Sequence, residues 1–115
     1  MKLGVIVYLV IKNALKLKLK GEYIMRINDK YLIKNLKKSN GIQKIYRFEN
    51  NYGASVIKTT GSYGHEKGLW ELAVIFFTDR EHYELCYETD ITDDVIGYLI
   101  LDEVDRILSK IKKIV

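Results

Sequence analysis

A chain of 115 residues, 48% apolar and 30% charged, has the size and composition of one globular domain with one modest core, which excludes disorder as the default. Its single cysteine, Cys86, excludes an intramolecular disulfide framework, and the chain reads as cytoplasmic. The net charge of +4 is unevenly divided: residues 1–60 hold 13 Lys/Arg against 3 Asp/Glu, and residues 61–115 hold 6 against 12.

The first 24 residues differ from the rest. Residues 3–11, LGVIVYLVI, fall well short of the ~18–20 apolar residues of a membrane span, so no stable membrane insertion is expected. Lysines resume at Lys12, Lys16, Lys18 and Lys20 with no small-x-small cleavage site. Residues 15–20, LKLKLK, alternate as an amphipathic strand or a surface-active basic segment does. Lys20, Gly21 and Glu22 back-translate to a purine-rich ribosome-binding sequence, with Tyr23 and Ile24 as spacer before Met25. The expectation is a biological start at Met25, residues 1–24 being translated upstream sequence; an amphipathic extension is the alternative. Residues 25–115 then carry 14 basic and 14 acidic residues, so the high pI belongs to the leader and argues only weakly for nucleic acid.

Within residues 25–115 the segment DKYLIKNLKK predicts a short N-terminal helix over 29–38. Asn28 would cap it, Leu32, Ile33 and Leu36 would form its apolar face, and Ser39, Asn40 and Gly41 would stop it. The period then becomes twofold. IQKIYRFE, ASVIKTT, LWELAVIFF and HYELCYET read as four strands in an antiparallel meander joined by short turns. LWELAVIFF is apolar on both faces and reads as central. After linking residues 95–99, Leu101, Val104, Ile107, Leu108, Ile111 and Val115 give an amphipathic C-terminal helix. Acids at its start and lysines at its end suit the helix dipole, and Asp102 and Arg106 are spaced to pair. The expected fold is α+β, a four-stranded antiparallel sheet with that helix across one face.

The runs YRFENNYGASV, GSYGHEKGLWELAV and ELCYETDITDDVIGYL, followed by a helix with Glu103 and Val104, form an ordered set. The set resembles a group of small uncharacterised proteins encoded by phages and prophages of Gram-positive bacteria, over residues 46–111. Two positions depart from that pattern: no proline stands near Asp90, and Ile100 occupies the place of a Thr or Ser helix cap. The resemblance implies a phage or prophage context and no established activity.

No convergent acid, base and nucleophile appears, so the reading is non-enzymatic. The glycine loop at residues 61–68 lacks the spacing of a phosphate-binding loop and precedes a strand. Its Tyr63 and His65, with Trp70, are candidates for a protein-recognition tip. His82, Glu84, Cys86 and Glu88 share a strand face, but same-face residues stand nearly 7 Å apart, so no metal site is assigned. Residues 90–94 lack the spacing of a calcium loop, and no cofactor is implied. From Asp79 to Asp105 ten acids face Arg80 alone. Such a run is either a solvated face or a docking surface that mimics nucleic acid, with Glu88, Asp90, Asp93 and Asp94 at its centre.

The reading that follows is a phage-type protein-binding module that engages a host or defence protein with a basic surface. One alternative is a small accessory or assembly protein, homodimeric through an edge strand. The other is direct nucleic-acid binding through Lys30, Lys34, Lys37, Lys38, Lys44 and Arg47, which the neutral balance of residues 25–115 disfavours.

Overall fold

The computed structural model describes residues 25–115. The leader and the readings attached to it lie outside these residues. In chain order the elements are a 3-10 turn at Asp29–Tyr31, β1 (Leu32–Lys38), β2 (Gly41–Arg47), β3 (Tyr52–Thr59), a 3-10 turn at His65–Lys67, β4 (Trp70–Phe77), β5 (Tyr83–Leu85), β6 (Ile96–Leu99) and one helix, α1 (Leu101–Lys112). Strands β1 to β5 are antiparallel neighbours in chain order, and β6 also pairs with β4. Six strands therefore replace the four expected, within the α+β class.

The first difference is the segment read as an N-terminal helix, which forms β1. A lone ten-residue helix with three apolar residues is marginal, whereas the same residues gain a full ladder along β2, from Lys34 opposite Ile45 to Lys38 opposite Gly41. Ser39-Asn40, read with Gly41 as a helix stop, is the tip of this hairpin, and Gly41 opens β2 opposite Lys38 at φ +143°. Asn28 makes no side-chain cap. It is buried, and its side-chain amide donates to the Asp105 carbonyl, to Asp105 Oδ1 and to Ser109 Oγ at 2.9–3.0 Å, tying the start of the sheet to α1.

The second difference is β6, read as a linker. Its four residues include Gly97 and Tyr98, the latter at φ +58°, and its pairing with β4 is irregular between Trp70 and Leu72, so no twofold pattern announces it. Strands β5 and β6 occupy one edge of β4 in succession. Leu85 lies opposite Ile75, the Cys86 N–H donates to the Val74 carbonyl, and Ile96 and Leu99 lie opposite Leu72 and Trp70. Residues 87–95 therefore leave the sheet and return to it a short way along the same strand.

The main core lies between α1 and one sheet face. Tyr46, Phe48, Ala54, Val56, Trp70, Leu72, Val74 and Leu99 meet Val104, Leu108 and Ile111 there. Alternation sets this face, since β4 sends Trp70, Leu72 and Val74 to the helix and Ile75 and Phe77 to the opposite side. Burial of Tyr46 pushes its hydroxyl up to about 12.

Ile100 has no side-chain acceptor, so only half of a capping box forms at the start of α1, where Glu103 accepts from the Ile100 N–H at 3.1 Å. Asp102 pairs with Arg26 at 2.9 Å, in place of the expected Arg106. At the far end the Asn50 side chain donates to the carbonyls of Ile111, Lys112 and Ile114 and accepts from the Tyr52 N–H, so the β2–β3 turn closes the helix C-terminus.

Candidate functional site

The excursion at residues 87–95 carries the acids that the sequence singles out. Glu88, Asp90, Asp93 and Asp94 are exposed, and Glu84 on β5 is exposed beside them. The excursion holds its shape with short local bonds. The Thr92 hydroxyl donates to the Asp94 carbonyl at 2.6 Å, the Asp94 N–H donates to Thr92 Oγ1, and Asp94 Oδ1 accepts from the Val95 N–H at 2.7 Å. Only Asp94 therefore commits a carboxylate oxygen to the backbone. Among the described residues the ion pairs are Arg26–Asp102 and His82–Asp79, so none of these five carboxylates meets a described cation.

Tyrosines frame the acids. Tyr87 stands at the start of the excursion, and Tyr98 lies on β6 just after the return, 58% exposed. Tyr98 stacks on Tyr63 with ring centroids 6.5 Å apart, and its N–H donates to the Tyr63 carbonyl. The approach is close enough that a Cβ on Gly97 would fall 2.3 Å from Tyr63 Cβ, so glycine is required there. Residues 60–67 and Tyr98 line a shallow cleft of about 290 Å³. Of the expected recognition residues, Tyr63 is exposed and His65 is half-buried in the 3-10 turn. Trp70 is corrected: it is a core residue, 6% exposed, with Lys44 and Lys58 Nζ at 5.1 and 4.7 Å from its ring centroid. Tyr98 is the residue that sequence reasoning missed, because β6 read as a linker.

The basic residues proposed for nucleic acid do not gather on a first helix, because that helix is β1. Pairing places Lys37 on the side of Ile42 and Lys44, facing α1, and Lys34 and Lys38 on the side of Ile45, facing away. Lys44 is half-buried over Trp70, and this burial lowers its pKa. Arg47 covers the Phe77 ring at 4.6 Å and donates to the carbonyls of Asp79 and Arg80. Lys30 lies 5.2 Å from the Tyr31 ring centroid. The cations of the sheet are thus divided, Lys37 and Lys44 on one face and Lys34, Lys38 and Arg47 on the other, and Lys30, Lys44 and Arg47 lie over aromatic rings.

The stripe of His82, Glu84, Cys86 and Glu88 is broken by the turn at residues 78–82. Among the described residues no group of three or more His, Cys, Asp or Glu is placed to hold a metal ion. His82 Nδ1 instead lies 2.8 Å from Asp79 Oδ2, while Asp79 Oδ1 accepts from the N–H groups of Glu81 and His82 at 2.8 Å. The Glu81 N–H bond first, then the His82 contacts, bring the Asp79 carboxyl down to about 2. A carboxyl depressed in the folded state binds fewer protons there, so its contribution is complete above about pH 4 and is lost as pH falls through about 2. Asp79→Asn is therefore expected to lower the urea midpoint at pH 6 and to match the unsubstituted chain near pH 2. A gap that persists unchanged at pH 2 would assign the effect to shape instead of charge.

Among the described residues no helix is long and apolar enough to cross a membrane. Comparison with protein-family models, curated proteins and solved structures finds no match for the chain.

Proposed function

We propose that this chain is a non-enzymatic protein-binding module of the phage type, which docks its acidic β4 edge onto a basic surface of a host or defence protein. The observation that carries this reading is the excursion at residues 87–95. It presents Glu88, Asp90, Asp93 and Asp94, beside Glu84, with no described cation against them, between the exposed rings of Tyr87 and Tyr98. Carboxylates crowded without counter-charges repel one another, and a cationic partner relieves that repulsion while speeding encounter. Exposed tyrosines beside them supply the apolar contact that such a surface needs to hold its partner.

Self-association through β1 is the second reading, and it has one observation of its own: residues Ile33 to Lys38 of this edge strand are all exposed. The same strand carries Lys34, Lys37 and Lys38 and a bulge near its start, the devices by which edge strands resist pairing. The docking reading is therefore preferred.

The test is affinity capture by the tagged full chain from a Gram-positive host lysate, alongside Asp90→Lys, Asp93→Lys, Asp94→Lys in one variant. The expected result is a nuclease-resistant protein that salt elutes and the variant fails to retain, the variant's urea midpoint being unchanged within the ~0.5 kcal/mol usual for surface substitutions. Capture of nucleic acid alone, or equal capture by the variant, would retire the proposal. A dimer by light scattering without any captured protein would favour the β1 reading.

A further inference from the structure

Among the residues of β4 only Phe76 is exposed. Alternation puts it on the face that α1 covers at Trp70, Leu72 and Val74, yet it lies outside that core. Tyr52 of β3 and Glu84 of β5 stand opposite it on either side, so two rings and a carboxylate form one row across the sheet. The Tyr52 and Phe76 rings meet edge to face, with centroids 5.0 Å apart. Tyr87 and Glu88, where the chain leaves the sheet, join this row around a cleft of about 410 Å³. Glu84 and Glu88 are exposed, and neither forms an ion pair with a described residue.

We propose that this cleft seats an arginine side chain of the basic partner. The inference rests on the docking reading and names the side chain that the acidic edge receives. Rings alone would accept any apolar group, and carboxylates alone any cation. Together they select a cation with flat, weakly hydrated faces. A guanidinium stacks on an aromatic ring, and its fork of N–H groups matches a carboxylate. Neighbouring strands lie about 4.8 Å apart, so a guanidinium over Phe76 is within reach of Glu84 one strand away. Glu88 supplies a second carboxylate from the wall of the same cleft. A lysine ammonium is a compact, strongly hydrated point charge and gains less from the rings.

The test is NMR titration of the full chain with end-blocked triarginine and trilysine peptides, which carry equal charge. Triarginine is expected to shift the Phe76 and Tyr87 ring signals and to bind roughly three- to fivefold more tightly than trilysine. Phe76→Leu is expected to abolish that preference and leave trilysine binding unchanged, its urea midpoint checking the fold. Glu84→Gln with Glu88→Gln, both at exposed positions, is expected to weaken triarginine severalfold and to remove the ring shifts. Equal binding of the two peptides, shifts confined to residues 90–94, or a preference that survives Phe76→Leu would overturn the proposal. Argininamide that binds as tightly as triarginine would assign the cleft to a free small cation and overturn it too. A captured host protein that Phe76→Leu retains in full would sink the cleft while the docking reading stands. A chain that prefers triarginine but captures no protein would sink the docking reading while arginine recognition stands.

Discussion

Trp70→Ala is expected to cost about 3–5 kcal/mol, a large share of the ~5–15 kcal/mol that holds a domain of this size together. Trp70 opens β4, lies opposite Leu99 of β6 and is buried in the helix-side core. Its ring also floors a contact with two ammonium groups, those of Lys44 and Lys58. Removing it leaves a cavity where β6 joins the sheet and strands both cations over that cavity. The urea midpoint, followed by far-UV circular dichroism, is the check, because the chain has no other tryptophan to report fluorescence. Trp70→Phe keeps most of the packing and is expected to lose less than half as much. A Trp70→Ala chain of unchanged stability that had lost only its partner would restore Trp70 to the recognition surface.

That residue marks where the sequence is informative and where it is not. Twofold alternation places Trp70, Leu72, Val74 and Phe76 on one face of β4 and Ile75 and Phe77 on the other, and the two clusters hold all of these except Phe76, which is exposed. Of the six residues that the amphipathic pattern assigns to the C-terminal helix, Val104, Leu108 and Ile111 are buried, Leu101 and Ile107 are half-buried, and Val115 lies past the end of α1 and is exposed. Alternation cannot say whether an aromatic ring beside a glycine loop faces a partner or the chain's own helix, and for Trp70 the helix wins. The misread first helix has a related cause. Leu32, Ile33 and Leu36 fit a helical face and an edge strand equally well over so short a run, and the ladder with β2 decides between them. The acids at residues 88–94 are legible as exposed charge. Their position, on a detour between two short strands that share one edge of β4, depends on β6, whose glycine, positive-φ tyrosine and irregular pairing leave no period to read.

Ile111→Ala tests the opposite end of the core and is expected to cost about 2–5 kcal/mol. Ile111 has no exposed surface and sits in the last turn of α1, where its side chain enters the core. Its carbonyl accepts from the Asn50 side chain at 3.0 Å and from the Ile114 N–H at 3.1 Å. The same turn is therefore fixed twice, by apolar burial and by a cap reaching over from the β2–β3 turn. Asn50→Ala removes the donor shared by three carbonyls, which water can partly replace at this exposed end, so the loss expected is about 1–2 kcal/mol. The two effects are not independent, because once the Ile111 side chain is gone the last turn frays and the Asn50 bonds have less to hold. The double variant is expected to fall short of the sum of the singles by at least about 0.5 kcal/mol in urea unfolding. Strict additivity would mean that Asn50 orders its own turn and contributes nothing to the helix. A cost below about 1 kcal/mol for Ile111→Ala would mean that the core closes without the last turn of α1.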